Sequence, residues 1–279
     1  MQEQPVAREY AFEHEDFKKL AAIVYETSGI TLGDHKKDMV YGRLSKRLRQ
    51  LQIPTFSQYI NYILNQENTF EVEQLINAIT TNLTHFFREK HHFDHMKDVV
   101  IPNLAKQNVT KIRMWSAACS SGLEPYSMAM TAQSSLASHR SCDLKILATD
   151  LDTKMLQTAR TGLYDVGLLK DIPENYREMY TKTNKSYNGR FEIKANLRSL
   201  IHFNQMNLMR EWPMKGQFDI VFCRNVLIYF NNEDKAQIIS KLINKLKVGG
   251  YLYMGHAESI LNPPETLQSV APTTYQRRV

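Results

Sequence analysis

Between Trp115 and Pro125 the chain reads Trp-Ser-Ala-Ala-Cys-Ser-Ser-Gly-Leu-Glu-Pro, a run of small side chains that follows a strand-like segment and ends on an acidic residue and a proline. Small residues let the backbone approach a ligand closely. Pro125 suits a first helical turn, where its missing N–H would have had no partner. Further on, Lys145-Ile-Leu-Ala-Thr-Asp150 closes a second apolar run on a carboxylate. A carboxylate at that point can accept two hydrogen bonds from ribose hydroxyls. A pyrophosphate cradle would need Gly-x-Gly-x-x-Gly or a Gly-Lys-Ser/Thr ending, and this loop has one glycine and no lysine. The chemistry favours a nucleoside without a pyrophosphate linker, such as S-adenosylmethionine, over NAD or ATP.

Such residues need a strand-turn-helix scaffold, and the chain supplies one. Strand-like and helical runs alternate from residue 111: strands at 111–116, 144–150, 218–223 and 250–255, and helices at 124–138, 152–161 and 232–247. That alternation predicts a mostly parallel sheet wrapped by helices. Between Tyr180 and Phe203 the pattern changes. Asn188-Gly189 precedes the alternating Arg190-Phe-Glu-Ile-Lys, and Leu197 to Phe203 is a second extended run, so a small antiparallel insertion is expected at about 180–205. Upstream, apolar residues recur at helical spacing (Phe17, Leu20, Val24; Val40, Leu44, Leu48; Tyr59, Ile60, Ile63; Leu75, Ile76, Ile79), with breaks at Ser28-Gly29, Gly33-Asp34, Pro54 and Asn65 to Asn68. An all-helical N-terminal domain over 1–89 and an α/β domain over 90–279 follow, with one helix from Lys90 to Gln107 leading into the first strand.

The 279 residues, 43% of them hydrophobic, suffice for two buried cores. No apolar run reaches the roughly 18 residues of a spanning helix, and the first ten residues have no signal-peptide core. Membrane insertion is not expected, and a cytoplasmic protein is. Cys119, Cys142 and Cys223 are scattered and read as free thiols. The net charge is +6, yet residues 1–90 are nearly balanced. Within them, Asp34 to Arg49 concentrates Lys36, Lys37, Arg43, Lys46, Arg47 and Arg49, a basic patch that could face an acidic protein, nucleic acid or water.

Five segments in this order are together specific: Thr80-Thr-Asn-Leu-Thr-His-Phe-Phe-Arg-Glu89, Trp115 to Ser127, Ala148-Thr-Asp150, Cys223-Arg-Asn-Val-Leu-Ile-Tyr-Phe230 and Gly249-Gly-Tyr-Leu-Tyr-Met-Gly-His256. With them the chain resembles the chemotaxis receptor glutamate O-methyltransferases. The resemblance implies a helical domain followed by a Rossmann-like S-adenosylmethionine-dependent methyltransferase domain with a β insertion. It also implies an activity, the esterification of glutamate side chains on bacterial chemoreceptors, and recruitment to membrane receptor arrays. The family commonly has glycine at 118 and an acidic residue at 123, where this chain has Ala118 and Leu123.

Read alone, Glu124 is either a carboxylate favoured by a helix dipole or a partner for the methionyl ammonium, and Asp150 is either an N-cap or a ribose acceptor. The resemblance implies the second role for each. It also assigns Asn82, Thr84, Arg88, Asn207, Leu208, Arg224 and Asn225 to the cofactor pocket. Arg88, a planar permanent cation, would further orient the substrate carboxylate, unless it forms an interdomain salt bridge. Tyr229, four residues past Asn225, would point at the methyl-transfer centre, unless it is a packed aromatic. Phe86, Phe87 and Phe93 read as core. His91 and His95 share a helical face beside His92, but no acidic or cysteine partner stands at ligand spacing, so no metal is expected.

A glutamate nucleophile is already ionised at pH 7, which removes the need for a general base and accounts for the lack of a Ser/His/Asp or paired-carboxylate constellation. One alternative is a cofactor-binding regulatory module without transfer activity. Another, a nucleic-acid methylase, would be expected to carry an Asn/Asp-Pro-Pro-aromatic motif where this chain has Arg224-Asn225-Val226-Leu227, so no nucleic-acid partner is expected. The basic segment, through Lys36, Arg43, Lys46 and Arg47, would dock the acidic methylation helices of a receptor, or be only a solvated helix face. The β insertion could hold a receptor C-terminal tail.

Overall fold

The computed structural model describes residues 8–65, 68–136, 142–184, 186 and 188–279. Their contacts divide the chain into two units, one of residues up to Thr81 together with Tyr229–Asn231, the other of Asn82–Ile228 and Asn232–Val279.

The first unit is a four-helix bundle of α1 (His14–Ser28), α2 (Lys37–Leu51), α3 (Phe56–Leu64) and α4 (Thr69–Ile79). Local chemistry sets its ends. Glu13 and Asp16 form a reciprocal capping box on α1, Gly29 ends that helix at φ 79°, and the Thr55 hydroxyl accepts from the Gln58 amide at the start of α3. The apolar stripes meet as their spacing predicts, with Leu20, Val24, Val40, Leu44, Leu48, Phe56 and Leu75 buried.

The basic face of α2 is not free. Arg43 donates to the carbonyls of Ile79 (2.6 Å) and Thr80 (2.8 Å) and to the Thr81 hydroxyl (3.1 Å), satisfying acceptors that the end of α4 leaves unpaired. Arg47 grips Glu71 through Nε (2.8 Å) and Nη2, and the Tyr59 hydroxyl donates to the same carboxylate (2.8 Å). Glu71 is 3% exposed. Of the four cations expected to share a docking surface, Arg43 and Arg47 thus hold the bundle together, while Lys46 is exposed and Lys36 half-buried.

The second unit begins earlier than residue 90 because Phe86 and Phe87 are buried in its core, edge-on or stacked against Tyr164, Phe93 and Tyr176. The expected helix over 90–107 is present as α5 (Lys90–His95) and α6 (Ile101–Lys106), joined through a wider π turn at Met96–Val100. Pro102 explains the widening, since it has no amide to give the preceding turn. There follow β1 (Lys111–Ala117), α7 (Leu123–Ser135), β2 (Asp143–Asp150), α8 (Thr153–Thr161), β3 (Leu163–Asp165), α9 (Glu174–Tyr180), β4 (Thr181–Thr183), β5 (Arg190–Ile193), α10 (Ala195–Arg198), β6 (Ile201–Gln205), β7 (Phe218–Cys223), α11 (Asn232–Lys245), β8 (Leu246–Met254), β9 (Leu267–Ala271) and β10 (Thr274–Arg277).

The main sheet has the order β6-β2-β1-β7-β8-β10-β9, parallel from β6 to β8 and antiparallel at β10 and β9. Strand β7 is buried along its whole length, as a central parallel strand must be. The order reverses at β1, with β2 on one side and β7 on the other, which opens a crevice past the carboxyl ends of these strands. The small antiparallel sheet, β3-β5-β4, spans 163–193 rather than 180–205. Asn188 and Gly189 take positive φ in its turn, as expected, but Ile201 to Gln205 pairs in parallel with β2 and belongs to the main sheet. No helix among the described residues is long and apolar enough to cross a membrane.

Replacing Arg47 with Met should strand the Glu71 carboxylate inside the bundle. Urea unfolding of the full chain is expected to show a loss of about 3 kcal/mol, the lower end for breaking a buried pair, because Arg47 keeps some solvent contact. Glu71→Gln together with Arg47→Met should recover part of it.

Candidate functional site

Four strand ends, β1 at Ala117, β2 at Asp150, β6 at Gln205 and β7 at Cys223, lie side by side in register, so the segments that follow them converge on one edge of the sheet. The first of these segments is the small-residue loop. Its Cys119 amide donates to the Thr149 carbonyl (2.8 Å) and its Ser120 amide to Asp150 Oδ2 (2.6 Å). Ala118 and Ser120 adopt left-handed φ of 67° and 48°, which turns successive amides inward. Gly122, at φ 91°, starts α7, and a Cβ there would stand 2.7 Å from the Ala159 methyl. Only glycine fits.

Asp150 is 8% exposed. Burial pushes its carboxyl up to about 6 against the pull of the amides of Asp152 and Ser120. The Asp152 amide donates to Oδ1 (2.9 Å) and the Ser120 amide to Oδ2, and the Leu151 backbone adds a third bond, so the four lone-pair sites of the carboxylate are not all taken. Two acceptors held side by side at a strand end match the two hydroxyls of a ribose.

Glu124 has the same arithmetic. Oε1 accepts from the Ser116 hydroxyl (2.8 Å) and Oε2 from Arg224 Nη1 (3.0 Å), leaving a lone pair on each for a further donor. Burial raises its carboxyl, and the Arg224 charge and the Ser116 bond hold it back. A ligand ammonium would complete that compensation.

Arg224 is the centre of the charges. Its side chain is 1% exposed; Nη2 lies 3.2 Å from Glu89 Oε2 and donates to the Arg88 carbonyl, while Nη1 holds Glu124. The guanidinium also lies over the rings of Phe93 (5.7 Å) and Phe222 (5.6 Å). Arg224 is an interior cation that links the segment 86–93 to α7. Burial works against ionised Glu89, but Arg224, the Asn225 amide and the His256 backbone outweigh it and hold Glu89 below its ordinary value. Asn225, at φ 57°, donates through Nδ2 to Glu89 Oε1 (3.2 Å).

Asn82 donates to Asp152 (2.8 Å), Thr84 is half-buried in the same segment, and the Arg88 guanidinium turns back to the Leu83 carbonyl (2.8 Å). Asn207 and Leu208 follow β6. Leu208 is 6% exposed, and its carbonyl accepts from Lys241 Nζ (2.8 Å) and Trp212 Nε1 (3.2 Å). Tyr229 belongs to the helical unit, where its carbonyl accepts from the Thr31 amide (2.8 Å).

Sequence reasoning passed over Glu89 and Glu258. The first closes the Thr80 to Glu89 segment; the second follows Gly255-His256 at the end of an apolar strand. For Glu258, a carboxylate just past a buried strand was the available signal; Glu89, in the turn before α5, carried none. Among the described residues, Glu89, His91 and His92 can each offer a metal-ligand atom within 4.8 Å of the others, a set different from His91 with His95. The Arg224 cation beside Glu89 makes that place unfavourable for a second positive charge.

The donor set fits S-adenosylmethionine. Asp150 could accept from a ribose and Glu124 from an ammonium, and no cationic loop calls for phosphates. Comparison with known proteins agrees. Residues 82–276 match the family model described as CheR methyltransferase, SAM binding domain, and residues 15–80 match the CheR methyltransferase, all-alpha domain. The chain is 37% identical over 258 residues to a probable chemotaxis protein methyltransferase of Rhizobium etli, covering 91% of this chain and 96% of the relative. It is 35% identical over 270 residues to chemotaxis protein methyltransferase 2 of Pseudomonas aeruginosa (96% and 95% covered), and 37% identical over 245 residues to the chemotaxis protein methyltransferase of Escherichia coli (87% and 84%). Two family models that together span most of the chain, and relatives matched over most of their own length, lead to one conclusion: the protein belongs to the CheR methyltransferase family and is an S-adenosylmethionine-dependent methyltransferase of chemotaxis.

Proposed function

We propose that the protein methylates glutamate side chains of bacterial chemoreceptors, forming glutamyl methyl esters, and that it works in the cytoplasm at membrane receptor arrays. The observation that carries the cofactor assignment is the pair of buried carboxylates, Asp150 at the end of β2 and Glu124 in the first turn of α7, each with acceptor sites left over. Asn82, Thr84, Arg88, Asn207, Leu208, Arg224 and Asn225 complete the pocket. Arg224 acts there through Glu124, keeping that carboxylate ionised in a dry site.

Bound S-adenosylmethionine supplies an electrophilic methyl group on a sulfonium. The chain's own residues need not move a proton, because the acceptor carboxylate is ionised at neutral pH. Their work is positioning and exclusion of water. Arg88 and Tyr229 hold the incoming carboxylate, Arg88 by releasing the Leu83 carbonyl, a neutral partner easily exchanged for a charged one. Receptor helices that carry several glutamates are acidic, and Lys36 and Lys46 are the cations of the α2 region that remain to meet them. Such charges speed encounter more than they deepen affinity.

Incubation with chemoreceptor-containing membranes and methyl-labelled cofactor should give base-labile methyl esters; their absence, with cofactor bound, would favour a non-transferring regulatory module. Asp150→Asn should weaken S-adenosylhomocysteine binding by about 10- to 150-fold in calorimetry, the cost of losing bonds to a charged acceptor. The ribose needs the ionised carboxylate, so wild-type affinity should hold above about pH 6 and fall below it as Asp150 protonates. In Asp150→Asn that dependence should vanish. Tyr229→Phe should leave this affinity intact and lower turnover about tenfold, as expected for one hydrogen bond made at the reacting centre. Reversing Lys36 and Lys46 to Glu should slow methylation at low receptor concentration, most clearly in low salt, where the screening length exceeds about 10 Å. Cofactor affinity should not change.

A further inference from the structure

Glu258 lies just past the end of β8, is 8% exposed, and binds backbone. Its Oε2 accepts from the amides of Asn225 (2.6 Å) and Gly255 (2.8 Å), and its Oε1 from those of Leu227 (2.6 Å) and Ile228 (3.3 Å). One buried carboxylate thus gathers four N–H groups, three of them from the turn that carries Arg224 and Asn225 out of β7. The nest has no spare room. A Cβ on Gly255 would stand 2.4 Å from Glu258 Oε2 and 2.6 Å from the Asn225 amide nitrogen.

The turn needs such a hold. Asn225 sits at φ 57°, a conformation disfavoured for a residue with a Cβ, and its side-chain amide is aimed at Glu89 only while that backbone is kept. Immediately before it, Arg224 must place Nη1 on Glu124 and Nη2 on Glu89. Amides donating to an ionised carboxylate form stronger bonds than amide–carbonyl pairs, and four of them on one group fix the direction of the chain. We infer that Glu258 is the positioning residue of the cofactor site: through the 225–228 amides it sets the backbone from which Arg224 and Asn225 reach Glu124 and Glu89. The inference rests on the assignment of Arg224 and Asn225 to that site.

Glu258→Gln keeps the size but offers one acceptor and turns an NH2 donor onto two amide donors. Glu258→Asp keeps the charge and shortens the reach. Calorimetric titration of S-adenosylhomocysteine into the wild-type chain and both variants should give an affinity about tenfold or more lower for Glu258→Gln, with partial rescue by Glu258→Asp. The amide proton signals of Asn225, Leu227 and Gly255 should move upfield together in Glu258→Gln, a change that loss of stability elsewhere would not produce. A folded Glu258→Gln that binds as the wild type does overturns the inference. If that variant fails to fold, Glu258→Asp decides: it must bind more weakly than the wild type, and equal affinity overturns the proposal, as does failure of both variants to fold, which would make Glu258 a structural residue only. Absence of binding by the wild-type protein would overturn the assignment of the cofactor site along with it, whereas equal affinities overturn the role of Glu258 alone.

Discussion

A guanidinium shielded almost wholly from water must be compensated within hydrogen-bond reach, and Arg224 is compensated by two carboxylates that come from different parts of the chain, Glu89 and Glu124. The requirement runs both ways. Glu124, raised by burial, needs the cation to remain charged, and Glu89 is held ionised by it. The segment that precedes α5, the first turn of α7 and the end of β7 are thereby fixed to one another by a single side chain. Phe93 and Phe222 wall the cation in and keep the local dielectric low, which strengthens each of these pairs. Ligand-facing lone pairs on Glu124 exist because Arg224 and Ser116 each take only one.

Backbone strain gathers at the same place. Of nine non-glycine residues with positive φ among the described residues, Phe87, Glu89, Ala118, Ser120 and Asn225 border this network. Each left-handed residue costs about 1 kcal/mol or more. Compensation comes from neighbours: the Asp150 carboxylate takes the Ser120 amide, Ser127 takes the Phe87 amide (3.0 Å), and Glu258 takes the Asn225 amide. Ala118 carries the same strain, at φ 67°. A methyl is tolerated there, but in a conformation that glycine adopts freely.

In the helical unit the same chemistry serves a different end. Arg43 and Arg47 lie one turn apart on α2, and their charge is spent on the end of α4 and on Glu71 rather than on a partner. Burial and the Glu71 charge also push the Tyr59 phenol up, so that this hydroxyl stays a donor to the carboxylate. A basic run in a sequence is therefore two populations of cations, those that close helix ends and acidic holes inside the fold and those left for solvent.

Periodicity alone determined the bundle, the alternation of strands and helices, and the placement of Asp150 and Glu124 at strand and helix ends, because these depend on residues near one another in the chain. The small-residue loop and the missing phosphate-binding pattern likewise narrowed the ligand. What only the tertiary structure decided is pairing over distance: that Arg224 is an interior cation, that Arg43 and Arg47 face inward, that Ile201 to Gln205 joins the main sheet, and that Glu258 gathers the amides of the 225–228 turn. No local spacing records these, since a charge 100 residues away has no periodicity. Burial then turns such pairings from optional into required, and that requirement arises only when the sheet has brought its strand ends together.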